Sequence, residues 1–156
     1  MSKSLKRVQA ALAAAGLAAE IRETDDSART AEGAARAVGC TVDQIAKSII
    51  FRGETTGHVV LFLTAGGNRV DAAKATAVAG QPLGKADADL IRAETGFAIG
   101  GVAPLGHLRP LQAFVDPRLT EFDLVWAAAG TPRHVFAIAP GDLIRVTGAR
   151  LADFTE

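Results

Sequence analysis

The chain has 156 residues, of which 49% are hydrophobic and 22% charged, a balance typical of folded globular proteins and unlike that of disordered or fibrous ones. Its 17 Lys and Arg residues equal its 17 Asp and Glu residues, so the formal net charge of zero excludes a strong overall attraction to nucleic acid and leaves only a local basic patch. Cys40 is the single cysteine, which excludes an internal disulfide and a Cys-x-x-Cys redox or zinc site.

The first third of the chain carries helix signals separated by turns. The sequence predicts a helix capped by Ser4 and ended by Gly16, a short strand over 17–22, a polar loop over 24–29, a helix over 31–38 capped by Thr30, and a short helix with Ile45 and Ala46 behind the capping box 41–44. The N-terminal stretch is too short and too weakly apolar for a membrane span, and it fits an amphipathic helix better than a cleaved signal peptide. Together with the lone cysteine, this indicates a protein of the reducing cytoplasm.

Strands dominate the rest of the chain. Residues 48–52 and 58–64 are apolar, β-branched runs joined by a five-residue loop with glycine at both ends, which predicts a hairpin. Further helices are predicted over 72–79 behind Asp71, from Asp87 or Asp89 to 95, and from Pro140 toward Gly148; further strands are predicted over 97–99, 112–115, 124–127 and 135–138.

The order of these elements indicates the fold class. Helices come early and strands interleave later without a regular βαβ rhythm, which favours an α/β fold of the α+β type, with a mixed central sheet flanked by helices, over a doubly wound parallel sheet. The length is enough to bury a sizeable core without disulfides, and no long linker or repeat divides the chain. We therefore expect one domain over residues 1–156.

Several common catalytic motifs are absent from the sequence. It contains no Gly-x-x-x-x-Gly-Lys-Ser/Thr phosphate loop, no Gly-x-Gly-x-x-Gly fingerprint, no His-Glu-x-x-His and no Gly-x-Ser-x-Gly elbow. His58, His107 and His134 are far apart and lack the short spacing of zinc ligands. We therefore expect no metal and no cofactor. The sequence lacks the motifs that usually indicate nucleotide hydrolysis, dinucleotide redox chemistry or zinc-protease chemistry.

Lys47 lies in an apolar neighbourhood that is unusual for a cation. If a strand begins near it, alternation places Lys47 on the same face as Ile49 and Phe51. One interpretation is a lysine that closes the short helix, with its charge near the helix C-terminus and its stem along the sheet. The other is a cation at the mouth of a pocket, in contact with a phosphate or a polarised carbonyl. A Ser-Lys dyad with Ser48 is excluded because adjacent strand residues point to opposite faces.

Two loops are candidate neighbours of that cation. Residues 100–106 (Gly-Gly-Val-Ala-Pro-Leu-Gly) contain glycines that permit positive φ and close ligand approach, so successive N–H groups can form a nest for an anion or an oxyanion. An ordinary strand-to-loop turn is the alternative for this segment. Residues 129–134 form a turn that ends in Arg133 and His134, where a surface histidine is the default interpretation. A pocket is indicated if both loops meet Lys47.

Four segments, taken in order, resemble the YbaK and prolyl-tRNA editing (ProX) family. They are residues 29–35 (Arg-Thr-Ala-Glu-Gly-Ala-Ala), 43–51 (Asp-Gln-Ile-Ala-Lys-Ser-Ile-Ile-Phe), 100–106 and 139–143 (Ala-Pro-Gly-Asp-Leu), and the resemblance covers nearly the whole chain. It implies a single editing-type α/β domain that acts free-standing in the cytoplasm. The implied reaction is hydrolysis of the ester of a wrongly charged aminoacyl-tRNA, with a small amino acid on tRNA-Pro or a similar tRNA.

The resemblance also implies roles for individual residues. By matching position, Lys47 contacts the terminal nucleotide of the tRNA and holds the ester, while the main chain of residues 100–104 grips the aminoacyl carbonyl and helps to place water. The implied catalytic residues are Lys47 and Gly101, and the implied substrate contacts are Thr30, Gly100, Val102, Ala103, Pro104, Gly130 and His134. The implied partner is the aminoacylated 3′ end of tRNA, with an aminoacyl-tRNA synthetase as an optional second partner, and neither a membrane nor DNA is expected.

Two classes of function stay open. The first is a trans-editing hydrolase, which needs no strong protein base because the ester is already activated and the vicinal ribose hydroxyl can orient the water. The second is a non-catalytic module on the same fold that binds a tRNA end, a nucleotide or a partner protein. Both need Lys47 and a basic rim, for which the candidates are Lys3, Lys6, Arg7, Arg52, Arg69, Lys74 and Arg133. Only the hydrolase needs the glycine loop to direct donors at an ester carbonyl.

Overall fold

The computed structural model describes residues 2–156, apart from the side chains of residues 26 and 27. The helices are α1 (Lys3–Ala14), α2 (Ala31–Val38), α3 (Ala72–Ala79), α4 (Ala88–Thr95) and α5 (Pro140–Thr147). The strands are β1 (Ile21–Glu23), β2 (Ala46–Gly53), β3 (Val59–Ala65), β4 (Leu83–Lys85), β5 (Gln112–Val115), β6 (Val125–Ala128), β7 (His134–Ile138) and β8 (Arg150–Leu151). Short 3-10 turns cover Asp26–Arg29, Val42–Gln44 and Pro117–Glu121.

Side-chain caps determine where the helices begin. The predicted caps Thr30, Asp71 and Asp87 each accept an N–H group from the first turn of α2, α3 and α4. α1 begins earlier than predicted because Ser2, rather than Ser4, caps it, with its Oγ accepting an N–H of the first turn at 3.0 Å. None of the helices within residues 2–156 is long and apolar enough to cross a membrane.

Within residues 2–156 the strands form two sheets, which a bridge at Ile45 joins. The larger sheet is mixed, with the order β4-β2-β3-β5-β8, in which β2 runs antiparallel to β3 and β4 while β3, β5 and β8 run parallel. The strands β1, β7 and β6 form a smaller antiparallel sheet. Ile45, just before β2, bridges Trp126 in β6 and joins the two. The predicted α+β class with a mixed sheet and flanking helices is confirmed, and the smaller sheet is an addition to it.

The mixed sheet separates two apolar layers. Leu61 and Leu63 of β3 face the main core, which α1, α4 and the smaller sheet complete. Phe62 faces the other way and packs against the rings of Phe114 and Phe154, with centroid distances of 5.3 Å and 4.9 Å. Because both faces are covered, every residue of β3 is buried, which explains its continuous apolar run. This buried strand holds β2 in place beside it.

Two local predictions are wrong, each for a physical reason. Residues 97–99 do not form a strand, because the Thr95 hydroxyl accepts the Phe97 N–H at 3.0 Å and removes that donor from any strand pairing. Residues 45 and 46 are not helical. The capping contact forms, since the Thr41 N–H donates to Gln44 Oε1 at 3.0 Å, but it closes a single 3-10 turn, after which Ala46 begins β2.

Candidate active site

A cleft opens beside the first half of β2. This strand pairs with β3 along almost its whole length but with β4 only from Phe51 to Gly53, so the edge of residues 47–50 borders a gap between the two sheets. The cleft has a volume of about 490 Å³ and is lined by residues 28–31, 34, 45–50, 85, 86, 91, 99, 100, 102, 126–128 and 135. Its walls are largely apolar, with Trp126, Ile91 and Ile45 among the larger side chains. A ligand here can reach both the main chain and the side chains of β2.

Lys47 is the half-buried cation of this cleft. It lies opposite Thr64 in the β2–β3 register, on the same face of β2 as Ile49, as alternation predicted. Its Nζ donates a hydrogen bond to the Asn68 carbonyl oxygen at 2.8 Å. Because β2 already begins at Ala46, the interpretation of Lys47 as a helix-closing lysine is wrong.

Opposing effects act on the Lys47 ammonium group. Burial lowers its pKa, and the positive charge of Arg69 acts in the same direction, whereas the negative charges of Glu32, Asp116 and Asp43 favour the protonated form. The hydrogen bond of Nζ goes to a neutral carbonyl rather than to a carboxylate. The charge of Lys47 is therefore available to an anionic or polarised ligand.

The buried carboxylate of Asp116 holds Asn68, the residue whose carbonyl accepts the hydrogen bond from Lys47. Asp116 is only 3% exposed and accepts hydrogen bonds from Asn68 Nδ2 at 2.9 Å and from the Ala65 N–H at 3.1 Å. Asn68 is thereby held between Asp116 and Lys47. Neither Asp116 nor Asn68 was among the predicted site residues, although an Asp directly after an apolar strand and an Asn in the turn after β3 were visible signals.

Ser48 contributes a hydroxyl group to the cleft. It follows Lys47 on β2, faces the opposite side of the strand and lines the cleft. Its Oγ is buried and makes no hydrogen bond within the described residues. Leaving such a group unpaired costs about 1–3 kcal/mol, a cost that a polar atom of a ligand can remove. Ser48 is therefore a candidate ligand contact, a role that was not among the predictions from its sequence position beside Lys47.

The glycine loop reaches the cleft through two of its residues. Gly100 and Val102 line the cleft, and in the part of the chain that the structure describes their N–H groups donate no hydrogen bond. Both residues therefore combine a position at the cleft with an N–H group that has no acceptor among the described residues. Gly101 lies between them but is buried against the turn after β6, where an added Cβ would lie 2.7 Å from the Thr131 carbonyl carbon. Its φ is not positive, so close approach to Thr131 explains this glycine.

Gly101→Ala is expected to destabilise the protein through that contact. The new methyl group would meet main-chain atoms of Thr131, which cannot move aside as a flexible side chain could. Overpacking of this kind costs about 1–3 kcal/mol, which corresponds to a fall of roughly 2–12 °C in Tm. Thermal unfolding of Gly141→Ala is the matched control, since nothing lies within 4 Å of a Cβ at Gly141. Equal Tm values for the two variants would contradict the packing role.

Three other predicted substrate contacts pack into the fold away from the cleft lining. Ala103 and Pro104 are buried behind Gly100 and Val102 in the same loop. Gly130 has a φ of 96°, and a Cβ there would lie 2.8 Å from the Ser4 carbonyl oxygen, so its backbone conformation and its packing against α1 together account for this glycine. Thr30, by contrast, lines the cleft together with Lys47, Gly100 and Val102.

The three histidines lie in three different places. His134 begins β7 and lines a separate groove of about 410 Å³, with its Nδ1 2.7 Å from Thr131 Oγ1. Its neighbour Val135 lines the cleft instead, because adjacent strand residues face opposite sides. His58 contacts Glu94, and His107 contacts the loop behind the cleft. Among the described side chains, no group of three or more His, Cys, Asp or Glu residues could hold a metal ion.

Two exposed cations that were not predicted line the cleft. Arg29 ends the 3-10 turn before α2, and Lys85 ends β4. The predicted rim residues lie elsewhere, and among the described residues none of them lines the cleft. Several make contacts within the protein: Arg7 stacks on the Phe97 ring, Arg52 forms an ion pair with Glu54, and Lys74 forms an ion pair with Asp153.

Comparison with known proteins adds an independent observation. Residues 25–146 match the family described as the aminoacyl-tRNA editing domain. The uncharacterized protein YwhH of Bacillus subtilis (strain 168) is 31% identical over 124 residues, which cover 80% of this chain and 78% of YwhH.

Solved structures share the whole fold. A crystal structure described as a "putative trans-editing enzyme for prolyl tRNA synthetase" matches with a TM-score of 0.93 and 48% identity, over 100% of this chain and 99% of that one. The hypothetical protein APE2540 matches with a TM-score of 0.86 and 27% identity, over 96% of this chain and 99% of its own. With most of its length matched and its fold shared, the chain belongs to the aminoacyl-tRNA editing domain family.

Proposed function

We propose that this protein is a free-standing deacylase that hydrolyses the ester bond of a mischarged tRNA carrying a small amino acid. The observation that carries the proposal is the meeting of Lys47 with Gly100 and Val102 in one cleft. A cation and two main-chain donors around an apolar cavity suit an aminoacyl ester on a ribose better than a purely apolar ligand. Membership of an editing-domain family supports the same conclusion.

Each part of the ester has a counterpart in the cleft. The amino-acid side chain would lie against the apolar wall near Trp126. The carbonyl oxygen would accept hydrogen bonds from the N–H groups of Gly100 and Val102, which have no acceptor among the described residues. The Lys47 ammonium would contact the terminal nucleotide and hold the ester in place. Ser48, whose hydroxyl lacks a partner among the described residues, would bond a polar atom of the aminoacyl group.

The chemistry is ester hydrolysis by water. Water attacks the carbonyl carbon, the bond from that carbon to the ribose oxygen breaks, and free amino acid and uncharged tRNA leave. Among the described side chains, the charged ones that line the cleft are Lys47, Arg29 and Lys85. All three are cations, which stabilise a developing oxyanion rather than accept a proton. The vicinal ribose hydroxyl would orient the water, while positioning and oxyanion stabilisation would lower the barrier by several kcal/mol.

Cleft size would select the amino acid. With about 490 Å³ shared between the aminoacyl group and the terminal nucleotide, a small side chain fits best. One methylene group changes the binding free energy by only about 1–3 kcal/mol, so related small amino acids would be distinguished by modest factors.

Substrate turnover separates an enzyme from a binding module. Mischarged tRNA in large molar excess over the protein should release many equivalents of free amino acid per protein molecule. A module that only binds the tRNA end would instead protect at most one equivalent of ester from spontaneous hydrolysis. Protection without release would overturn the proposed activity and favour the binding module.

Lys85→Ala is expected to weaken tRNA binding through the loss of one phosphate contact. With zero net charge and few cations at the cleft, the protein should neutralise about 2–4 phosphates, giving a slope of log affinity against log salt of roughly −2 to −4. Removing Lys85 should reduce that slope by about 1. Fluorescence anisotropy over a salt series measures it.

Lys74→Ala is the matched control for this measurement. Lys74 is also an exposed lysine, but its Nζ contacts Asp153 at 3.2 Å and it does not line the cleft. Its removal should leave the salt slope unchanged. Equal slopes for Lys85→Ala and the wild type would place the phosphate contacts elsewhere on the surface.

A further inference from the structure

His107 lies directly behind the glycine loop, in a place that the reaction does not use. Its Nε2 is 2.7 Å from the Ala103 carbonyl oxygen, and its ring stands edge-on to Phe97 with a centroid distance of 6.1 Å. Burial lowers the pKa of His107, which favours the neutral imidazole. A neutral imidazole can make this contact only if Nε2 carries the hydrogen and donates it to the carbonyl.

The backbone turns after Pro104 so that the His107 side chain contacts the glycine loop at Ala103. Gly106 adopts a φ of 80°, a left-handed conformation that reverses the chain directly before His107. A Cβ at Gly106 would also come within 3.5 Å of the Arg7 carbonyl oxygen in α1. The segment after Pro104 therefore turns back against α1 and brings the imidazole beneath Ala103.

Few hydrogen bonds hold the loop in which Gly100 and Val102 lie. In the part of the chain that the structure describes, the main chain of residues 100–105 is tied by the bond from the Gly101 N–H to the Ala98 carbonyl, at 3.1 Å, and by the bond from His107. The Ala103 carbonyl belongs to the same peptide plane as the nitrogen of Pro104, whose ring already restricts the residue before it. Fixing that carbonyl restrains the main chain immediately after Val102.

We propose that His107 is a positioning residue for the ester-binding loop. Through its bond to Ala103 it keeps the N–H groups of Gly100 and Val102 directed at the aminoacyl carbonyl of the substrate. This role rests on the proposed deacylase function, because the acceptor for those N–H groups is the carbonyl oxygen of the aminoacyl ester. His107 itself does not line the cleft.

Two substitutions separate positioning from simple core packing. His107→Gln keeps an N–H donor at a similar reach, whereas His107→Leu fills the space without a donor. Both remove the ring contact with Phe97, so both should lower Tm, and His107→Leu should lower it further because the Ala103 carbonyl loses its hydrogen bond. His107→Leu should lower kcat by about 10- to 100-fold with little change in KM, while His107→Gln should retain most of the wild-type kcat. Equal kcat losses in the two variants would overturn the proposal.

A second readout does not depend on activity. The amide NMR signals of Gly100 and Val102 should shift, and their hydrogen exchange should accelerate, in His107→Leu but much less in His107→Gln. Unchanged Gly100 and Val102 signals in a folded His107→Leu protein would overturn the proposal even if kcat falls. Wild-type protein that releases no amino acid would overturn the deacylase function instead, and the amide signals alone would then decide whether His107 positions the loop.

Discussion

Lys47→Ala should reduce deacylation of a mischarged tRNA by about 100-fold or more, the usual effect of removing a charged group that stabilises the transition state. The same substitution should change stability little. Lys47 is half-buried and donates one hydrogen bond, to the Asn68 carbonyl, and the net contribution of such a bond is about 0.5–1.5 kcal/mol. The expected fall in Tm is therefore roughly 1–6 °C. Initial rates of ester loss and thermal unfolding measure the two effects.

Two comparisons make the Lys47 result specific. Lys47→Met keeps most of the side-chain stem and removes the charge, so it should lose activity as Lys47→Ala does while keeping more of the packing. Lys74→Ala, whose lysine pairs with Asp153 outside the cleft, should be as active as the wild type. Loss of activity only in proportion to loss of folded protein would show that Lys47 has a structural role alone.

Asp116→Ala should produce the largest loss of stability of any substitution considered. Its carboxylate is 3% exposed and accepts bonds from the Ala65 N–H, from Asn68 Nδ2 and from the Arg118 N–H. Removing it leaves one buried and two partly buried donors without this acceptor. An unpaired buried donor costs about 1–3 kcal/mol and the partly buried ones cost less, so the free energy of unfolding should fall by about 2–5 kcal/mol in total. Urea unfolding gives this value directly.

The variant Asp116→Asn tests whether the hydrogen bonds account for the effect. It retains one oxygen acceptor in the same place and should lose clearly less stability than Asp116→Ala. Asp153→Ala removes an exposed carboxylate and should cost close to nothing, since pairs such as Lys74–Asp153 contribute about 0–1 kcal/mol. If Asp116→Ala were no more destabilising than Asp153→Ala, the buried network beneath Lys47 would not be a stabilising element.

Local signals predicted most of the secondary structure. Thr30, Asp71 and Pro140 stand at the starts of α2, α3 and α5 because caps and N-terminal prolines act within one helical turn. The strands β4 and β8 went unpredicted, since three and two residues are too few to show a period. The division into two sheets depends on pairings distant in sequence, such as β1 with β7, which no local pattern encodes.

The candidate site was predictable in part. Lys47 was found because a cation in an apolar strand is conspicuous, and Gly100 because consecutive glycines are. Trp126 and Lys85 were missed, as they reach the cleft only through the packing of β6 and β4 around β2. His134 was placed with the substrate contacts, whereas the structure puts its neighbour Val135 into the cleft, a difference of one residue in strand alternation that sequence alone does not determine.

Single-turnover deacylation tests the central claim most directly. The protein, in excess, is mixed with tRNA charged with alanine, serine, threonine, cysteine or 2-aminobutyrate, and release of each amino acid is compared with spontaneous hydrolysis and with Lys47→Ala. The account predicts that at least one of these small amino acids is released about 100-fold or more faster than spontaneously, and that Lys47→Ala removes this acceleration. All five esters decaying at the spontaneous rate, or Lys47→Ala matching the wild type on a good substrate, would contradict it.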